Sequence, residues 1–163
     1  MTGHLDDLTH IEADMNAEGL RFAVVASRFN DEIVDGLLRG AIDCLREHGT
    51  GTEGIRVYRV PGAFEIPLIA SLLAKTKQFD AIVAVGALVR GDTPHFEYIA
   101  SQMTMHLSRA ALDSGVPVAY GVITCNTIEQ AEARSGSGSG NKGWEAALAA
   151  IEMANLIKKL NAI

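Results

Sequence analysis

RGDTPH, at positions 90–95, holds the residue types of a phosphate site with a base beside it. Gly91 and Thr93 precede what reads as a helix start, where the first backbone N–H groups lack helical partners and turn toward an anion. His95 falls in the first turn, where the helix dipole favours a neutral imidazole able to accept a proton. An ordinary capped helix with a solvent-facing histidine accounts for the same residues equally well. Asp92 would repel phosphate unless its carboxylate points away. A second group of cations brackets RSGSGSGNKG at 134–143, with Arg134 opening the stretch and Lys142 near its close. Its Ser-Gly pairs give it a linker's composition, so it is either a passive joint or a mobile loop carrying cations to an anionic ligand.

Other residues invite chemistry without compelling it. Phe29 could be a stacking platform or simply anchor a loop. Glu65 could accept from sugar hydroxyls, or sit as a surface acid favoured by a helix start. Cys125 has no indicated base and reads as a buried structural thiol. With only Cys44 and Cys125, and no C-x-x-C pair, there is no disulfide framework. His4, His10, His48 and His106 scatter without ligand spacing, which points away from a metal site. Met103 and Met105 read as core or interface filler. The P-loop pattern is absent, and neither the first nor the third apolar run ends in the Asp of a receiver-type phosphoacceptor.

The elements that must position these groups alternate along the chain. RFAVVAS (21–27), AIVAVGALV (81–89) and VPVAYGVIT (116–124) are apolar nearly throughout, as strands covered on both faces must be; IRVYRV (55–60) makes a fourth. Between them, Ile33, Val34, Leu37, Leu38, Ala41, Ile42 and Leu45 form one helical stripe, with Asn30 as N-cap and Gly49 at the far end. A second helix is predicted from about Ala63 to Lys75, tolerating Pro67 near its start. A third is predicted from Thr93 as cap to about Ser114. Thr127 and Gln130 have capping-box spacing for a short fourth helix. Trp144 to Leu160 makes the last, with Trp144, Leu148, Ile151 and Leu156 facing the core.

Alternating strands and helices imply a flavodoxin-like three-layer α/β/α sandwich on a four-stranded parallel sheet. Residues 1–19 would be an arm and 20–163 a single domain. The rim beyond the strand ends, where such sheets bind ligands, gathers Phe29, Glu65, His95 and Tyr120. The 163 residues are 48% apolar, with few aromatics and a net charge of −6. With no basic run, binding to nucleic acid or a membrane surface through bulk charge is excluded. The polar, acidic N-terminus is no signal peptide, and the longest apolar run is too short to span a bilayer, so a cytoplasmic location is expected.

Taken in order, Ser27-Arg28-Phe29-Asn30, PGAFEIP (61–67), GALVRGDTPHFEY (86–98), GVIT with Asn126, Thr127, Gln130 and Ala131, and NKGWEAALAAIEMANL (141–156) resemble the lumazine synthase family. The resemblance implies condensation of 5-amino-6-(D-ribitylamino)uracil with 3,4-dihydroxy-2-butanone 4-phosphate, using neither metal nor organic cofactor. Both reacting groups belong to the substrates, so the protein aligns them and moves protons. Under this resemblance Phe29 would stack on the pyrimidine with Asn30 beside it. Ala63, Phe64 and Glu65 would hold the ribityl chain, and Ala87, Leu88 and Val89 would offer backbone groups to the ring. Gly91, Asp92 and Thr93 would contact phosphate, and His95 would shuttle the proton.

The resemblance also implies that each site lies between subunits, the neighbour supplying Tyr120, Arg134 as phosphate clamp and Lys142 at the pyrimidine edge. It implies a homo-oligomer of pentamers or a sixty-subunit shell, with riboflavin synthase as a further partner. Segment 10–15 is a candidate strand for a neighbour's sheet. Two positions depart from the family's pattern. Tyr120 stands where Phe is common, and RSGSGSGNKG replaces roughly RAGTKAGNKG, so Gly138 stands where a lysine is often found. The length is kept, but ordering each extra mobile residue costs about 1 kcal/mol, which predicts weaker phosphate binding. Two rival readings are a self-assembling shell or ligand-binding scaffold with little turnover, and a flavin- or nucleotide-binding module of the same fold.

Overall fold

The computed structural model describes residues 8–163. Strands β1 (Phe22–Ser27), β2 (Ile55–Val60), β3 (Ala81–Val89) and β4 (Val118–Cys125) pair in parallel in the order β2-β1-β3-β4. Helices α1 (Asp31–Glu47), α2 (Ile66–Lys75), α3 (His95–Ser114), α4 (Ile128–Ser135) and α5 (Lys142–Asn161) connect and cover them. The result is the expected α/β three-layer sandwich. His4 and the first seven residues of the arm lie outside the described residues.

The layers follow from the period-two geometry of a strand. In β1, Phe22, Val24 and Ala26 join the core beneath α1 and α5, whereas Ala23 and Val25 face α2 and α3. All six β1 residues are buried, as the apolar run requires. Burying a valine or phenylalanine in this way stabilises the fold by roughly 1.5–3 kcal/mol. The edge strand β2 is far more exposed, which matches its interleaved arginines. There Tyr58 packs edge-on against Phe79, ring centroids 6.2 Å apart.

Several helix ends differ from their predicted chemistry. Asn30 occupies the N-cap position of α1 in a left-handed conformation (φ 62°), but its side chain makes no cap bond. It donates instead to the Ala87 carbonyl at 2.9 Å, joining the end of β1 to the end of β3. Thr93 does not cap α3; Pro94 holds that position, without a side-chain bond. The predicted second helix divides into a 3₁₀ turn (Ala63–Glu65) and α2, with Pro67 in the first turn. Thr127 does cap α4, accepting from the Gln130 amide at 3.2 Å. Gln130 completes only a variant box, because its Oε1 accepts from Asn126 N–H, one residue early.

The last helix buries the predicted stripe only in part. Ile151 is fully buried as expected, but it shares the core with Ala146, Ala147, Ala150 and Ala154. Trp144 and Leu148 pack partly buried at its margin, and Leu156 is also only partly buried. Small residues let α5 lie close against α1 and β4, so the large side chains are displaced to the flanks. The arm from Glu12 onward docks on its own chain. Asn155 donates to the carbonyls of Asp14 and Asn16, both at 2.9 Å, Lys159 reaches that of Glu12, and Ala17 and Leu20 enter the core. Residues 8–20 form no strand within the chain.

Candidate active site

β1 and β3 are neighbours whose connections leave in opposite directions, and a crevice opens where the strand order switches. It is a cleft of about 770 Å³ beyond their carboxyl ends. The first wall follows β1. Backbone amides of Arg28 and Phe29 donate to Val60 and Pro61 at 2.8 and 3.0 Å, continuing the β1–β2 ladder past the sheet. That pinning presents Phe29 at the cleft mouth, 72% exposed, a large apolar ring held out by backbone bonds rather than packed away. Asn30, through its bond to Ala87, fixes the floor where Ala87, Leu88 and Val89 line the cleft.

The second wall is the turn before α2. Glu65 Oε2 accepts from Gly62 N–H at 2.9 Å, so its carboxylate is oriented by its own turn and keeps lone pairs for hydroxyl donors. Ala63 is buried behind it, and Phe64 is exposed beside it. The third wall is the loop into α3, from which Gly91, Thr93 and His95 line the cleft. His95 is the first residue of α3, so the helix's unpaired N–H groups and the imidazole share one end. Phe96, Tyr98, Ile99 and Gln102 complete this wall and are not singled out by the sequence pattern; Gln102, two turns into α3, carries no local signal.

Arg90 holds that third loop in place. Its amide donates to Cys125 O and its Nε to Asn126 Oδ1, both at 2.9 Å, while its guanidinium lies 4.6 Å from the centre of the Phe96 ring and pairs with Glu97. The hydrogen bond from Arg90 holds the Glu97 carboxyl below the usual carboxylate range, so this tie weakens as pH falls through that lowered value. Nothing local in the sequence marks Arg90, because its partners Cys125 and Asn126 come from the end of β4, far along the chain.

Four residues singled out from the sequence are absent from this cleft's lining. Asp92 is exposed on the loop and does not line it. Tyr120 points outward from β4, its hydroxyl 3.0 Å from Thr104 Oγ1. Arg134 donates to the Gln130 carbonyl of its own helix at 2.9 Å, and Lys142 pairs with Glu145 at 2.7 Å. Exposed cations of this kind hold their local partners weakly, by under about 1 kcal/mol, and exchange them readily for a stronger anion.

No thiol in the chain is poised for nucleophilic chemistry. Cys44 and Cys125 are both buried, and burial pushes the Cys44 thiol up to about 12. Burial also raises the Cys125 thiol, against the opposing pull of Arg134. Neither cysteine is therefore expected to react with a thiol reagent at neutral pH in the native state, while both react after unfolding. Rapid labelling of the folded protein, followed by mass spectrometry, would contradict this. Among the described residues, no His, Cys, Asp or Glu cluster suits a metal ion, and no helix is long and apolar enough to cross a membrane.

Known proteins resemble this chain along most of its length. The pattern of the 6,7-dimethyl-8-ribityllumazine synthase family matches residues 19–158. A 6,7-dimethyl-8-ribityllumazine synthase of Aquifex aeolicus is 54% identical over 149 residues, covering 91% of this chain and 97% of its own. Those of Syntrophus aciditrophicus and Chloroherpeton thalassium are each 49% identical, covering 93% and 92% of this chain and 99% and 97% of their own. The family match over residues 19–158, with 54% identity to a relative across 91% of the chain, makes this chain a member of the 6,7-dimethyl-8-ribityllumazine synthase family.

Proposed function

We propose that this chain condenses 5-amino-6-(D-ribitylamino)uracil with 3,4-dihydroxy-2-butanone 4-phosphate, giving 6,7-dimethyl-8-ribityllumazine, phosphate and water. The observation that carries this reading is the composition of the cleft: an exposed ring, a turn-oriented carboxylate and a helix N-terminus bearing His95, with no activated nucleophile. The substrates bring their own amine and ketone, so alignment and proton transfer are the protein's whole task. Phe29 stacks on the pyrimidine with Asn30 beside it. Glu65 accepts from ribityl hydroxyls over Ala63 and Phe64, and the backbone of Ala87, Leu88 and Val89 meets the ring edge. Phosphate sits at the α3 N-terminus by Gly91 and Thr93, with Asp92 on the same loop. His95 takes the proton as the imine forms and returns it as phosphate leaves.

Tyr120, Arg134 and Lys142 do not line the cleft of their own chain and hold other partners there, which supports a site completed by a neighbouring subunit. The reading therefore includes a homo-oligomer of pentamers, with the exposed outer edge of β2 open to segment 10–15 of a neighbour's arm. Mixing both substrates with the assembled protein and following lumazine absorbance tests the activity. No product from an intact assembly refutes it and leaves the scaffold reading. For His95→Ala we expect turnover to fall roughly tenfold, the low end for loss of a general base, because imine chemistry between these substrates also proceeds unaided. Unchanged turnover would remove His95 from the mechanism.

A further inference from the structure

The stretch between α4 and α5 has a soft composition and a hard anchor. Asn141 is 3% exposed, and both ends of its side-chain amide are in use. Its Oδ1 accepts from Gly143 and Trp144 N–H at 2.8 and 3.1 Å, capping α5. The two N–H groups of its Nδ2 lie within hydrogen-bond reach of three carbonyls, those of Gly136, Gly36 and Ser135 at 2.8, 3.0 and 3.1 Å, so two of them share one hydrogen. Carbonyls need donors and amides need acceptors, so the orientation of this side chain is set by its partners. Helix α1 leaves room for the knot by omitting side chains. A Cβ on Gly36 would stand 2.4 Å from the Ser135 carbonyl oxygen, and one on Gly40 would stand 2.2 Å from Asn141 Oδ1.

Ser135 and Gly136 are thus seated against α1, while the span to Gly140 turns at Gly138 in a glycine-only conformation (φ 92°). Arg134 immediately precedes the seated segment, and Lys142 immediately follows Asn141. We propose that Asn141 is a positioning residue: it ties the two ends of the loop to each other and to α1, so that Arg134 and Lys142 leave the subunit in fixed register toward the neighbour's cleft. This rests on the reading of Arg134 as the phosphate clamp. A clamp in place for only part of the time lowers apparent affinity in proportion to that fraction. The knot removes residues 135, 136 and 141 from the ordering cost before any ligand arrives, which matters most in a chain so rich in glycine there.

Three variants of the assembled protein test it: Gly36→Ala, Asn141→Ser and Arg134→Ala. A helix interior prefers Ala to Gly, so in Gly36→Ala α1 gains and the clash falls on Ser135 where α4 ends and the loop begins, leaving the α5 cap intact. Asn141→Ser keeps a capping oxygen and loses the Nδ2 donors, a second route to the same effect. In both, the Kd for inorganic phosphate and the KM of the phosphorylated substrate are expected to rise roughly tenfold. In Gly36→Ala the thermal midpoint is expected to fall, because a backbone carbonyl must shift to admit the Cβ, while the KM of the pyrimidine substrate and the particle size stay at wild-type values. A purely structural role would move both KM values together, and that result overturns the proposal. Weakened phosphate binding in Arg134→Ala, with Gly36→Ala and Asn141→Ser both unchanged, also overturns it and leaves the clamp standing. Unchanged phosphate binding in Arg134→Ala overturns the clamp, and the positioning role with it.

Discussion

Gly143→Ala is expected to destabilise the fold by about 3 kcal/mol or more and to abolish assembly, the upper range for overpacking. A Cβ at this position would stand 1.9 Å from the Leu37 carbonyl oxygen, 2.7 Å from its carbon and 3.0 Å from Asn141 Oδ1. The first two are backbone atoms in the interior of α1, which cannot swing aside as a side-chain tip would. Relief requires α5 to lift away from α1, and that opens the core in which Leu37, Ala147 and Ile151 are fully buried. Intrinsic helix propensity acts in the opposite direction, favouring Ala over Gly by about 1 kcal/mol at most. The clash therefore decides the sign. Denaturant unfolding with a fitted midpoint checks it, and a Gly143→Ala variant as stable as wild type would show that the helices are not in backbone contact.

That close approach also marks where the sequence is hard to read. The strands announce themselves because burial on both faces leaves little choice but Ala, Val, Leu and Ile; the third run matches β3 at both ends. The α5 face does not. Helical periodicity gives the core to Trp144, Leu148, Ile151 and Leu156, but of these only Ile151 is fully buried, because a helix against another helix at backbone distance fills the rest of the contact with alanines. Local signals for caps succeed where partners are local, as at Thr127, and fail where a distant atom competes. Asn30 holds the predicted position but spends its amide on Ala87, whereas Asn141 caps α5 with its Oδ1 and reaches Gly36, far back along the chain, with its Nδ2. The cleft itself is largely legible, because Phe29, Glu65, Gly91, Thr93 and His95 each follow a strand directly. Arg90 is not, since its role depends on Cys125 and Asn126 being brought beside it by tertiary structure.

The second large effect concerns ownership of the site. Arg134→Ala is expected to lower turnover a hundredfold or more, the magnitude typical of removing a group that stabilises developing charge on a leaving oxyanion. His95→Ala subunits, with an intact Arg134, lose much less. The two variants are then unfolded together and reassembled as mixed particles. Arg134 does not line the cleft of its own chain, and on the proposed reading a whole site needs His95 from one subunit and Arg134 from the next. In a head-to-tail ring with random mixing, roughly a quarter of interfaces meet that condition, and activity should rise well above the mean of the two parents. Were Arg134 to swing back into its own cleft, every site would carry one lesion and mixing would only average the parents. Comparing turnover of the mixed particles with that average separates the two arrangements directly. A simple average would place Arg134 and His95 in one subunit's site.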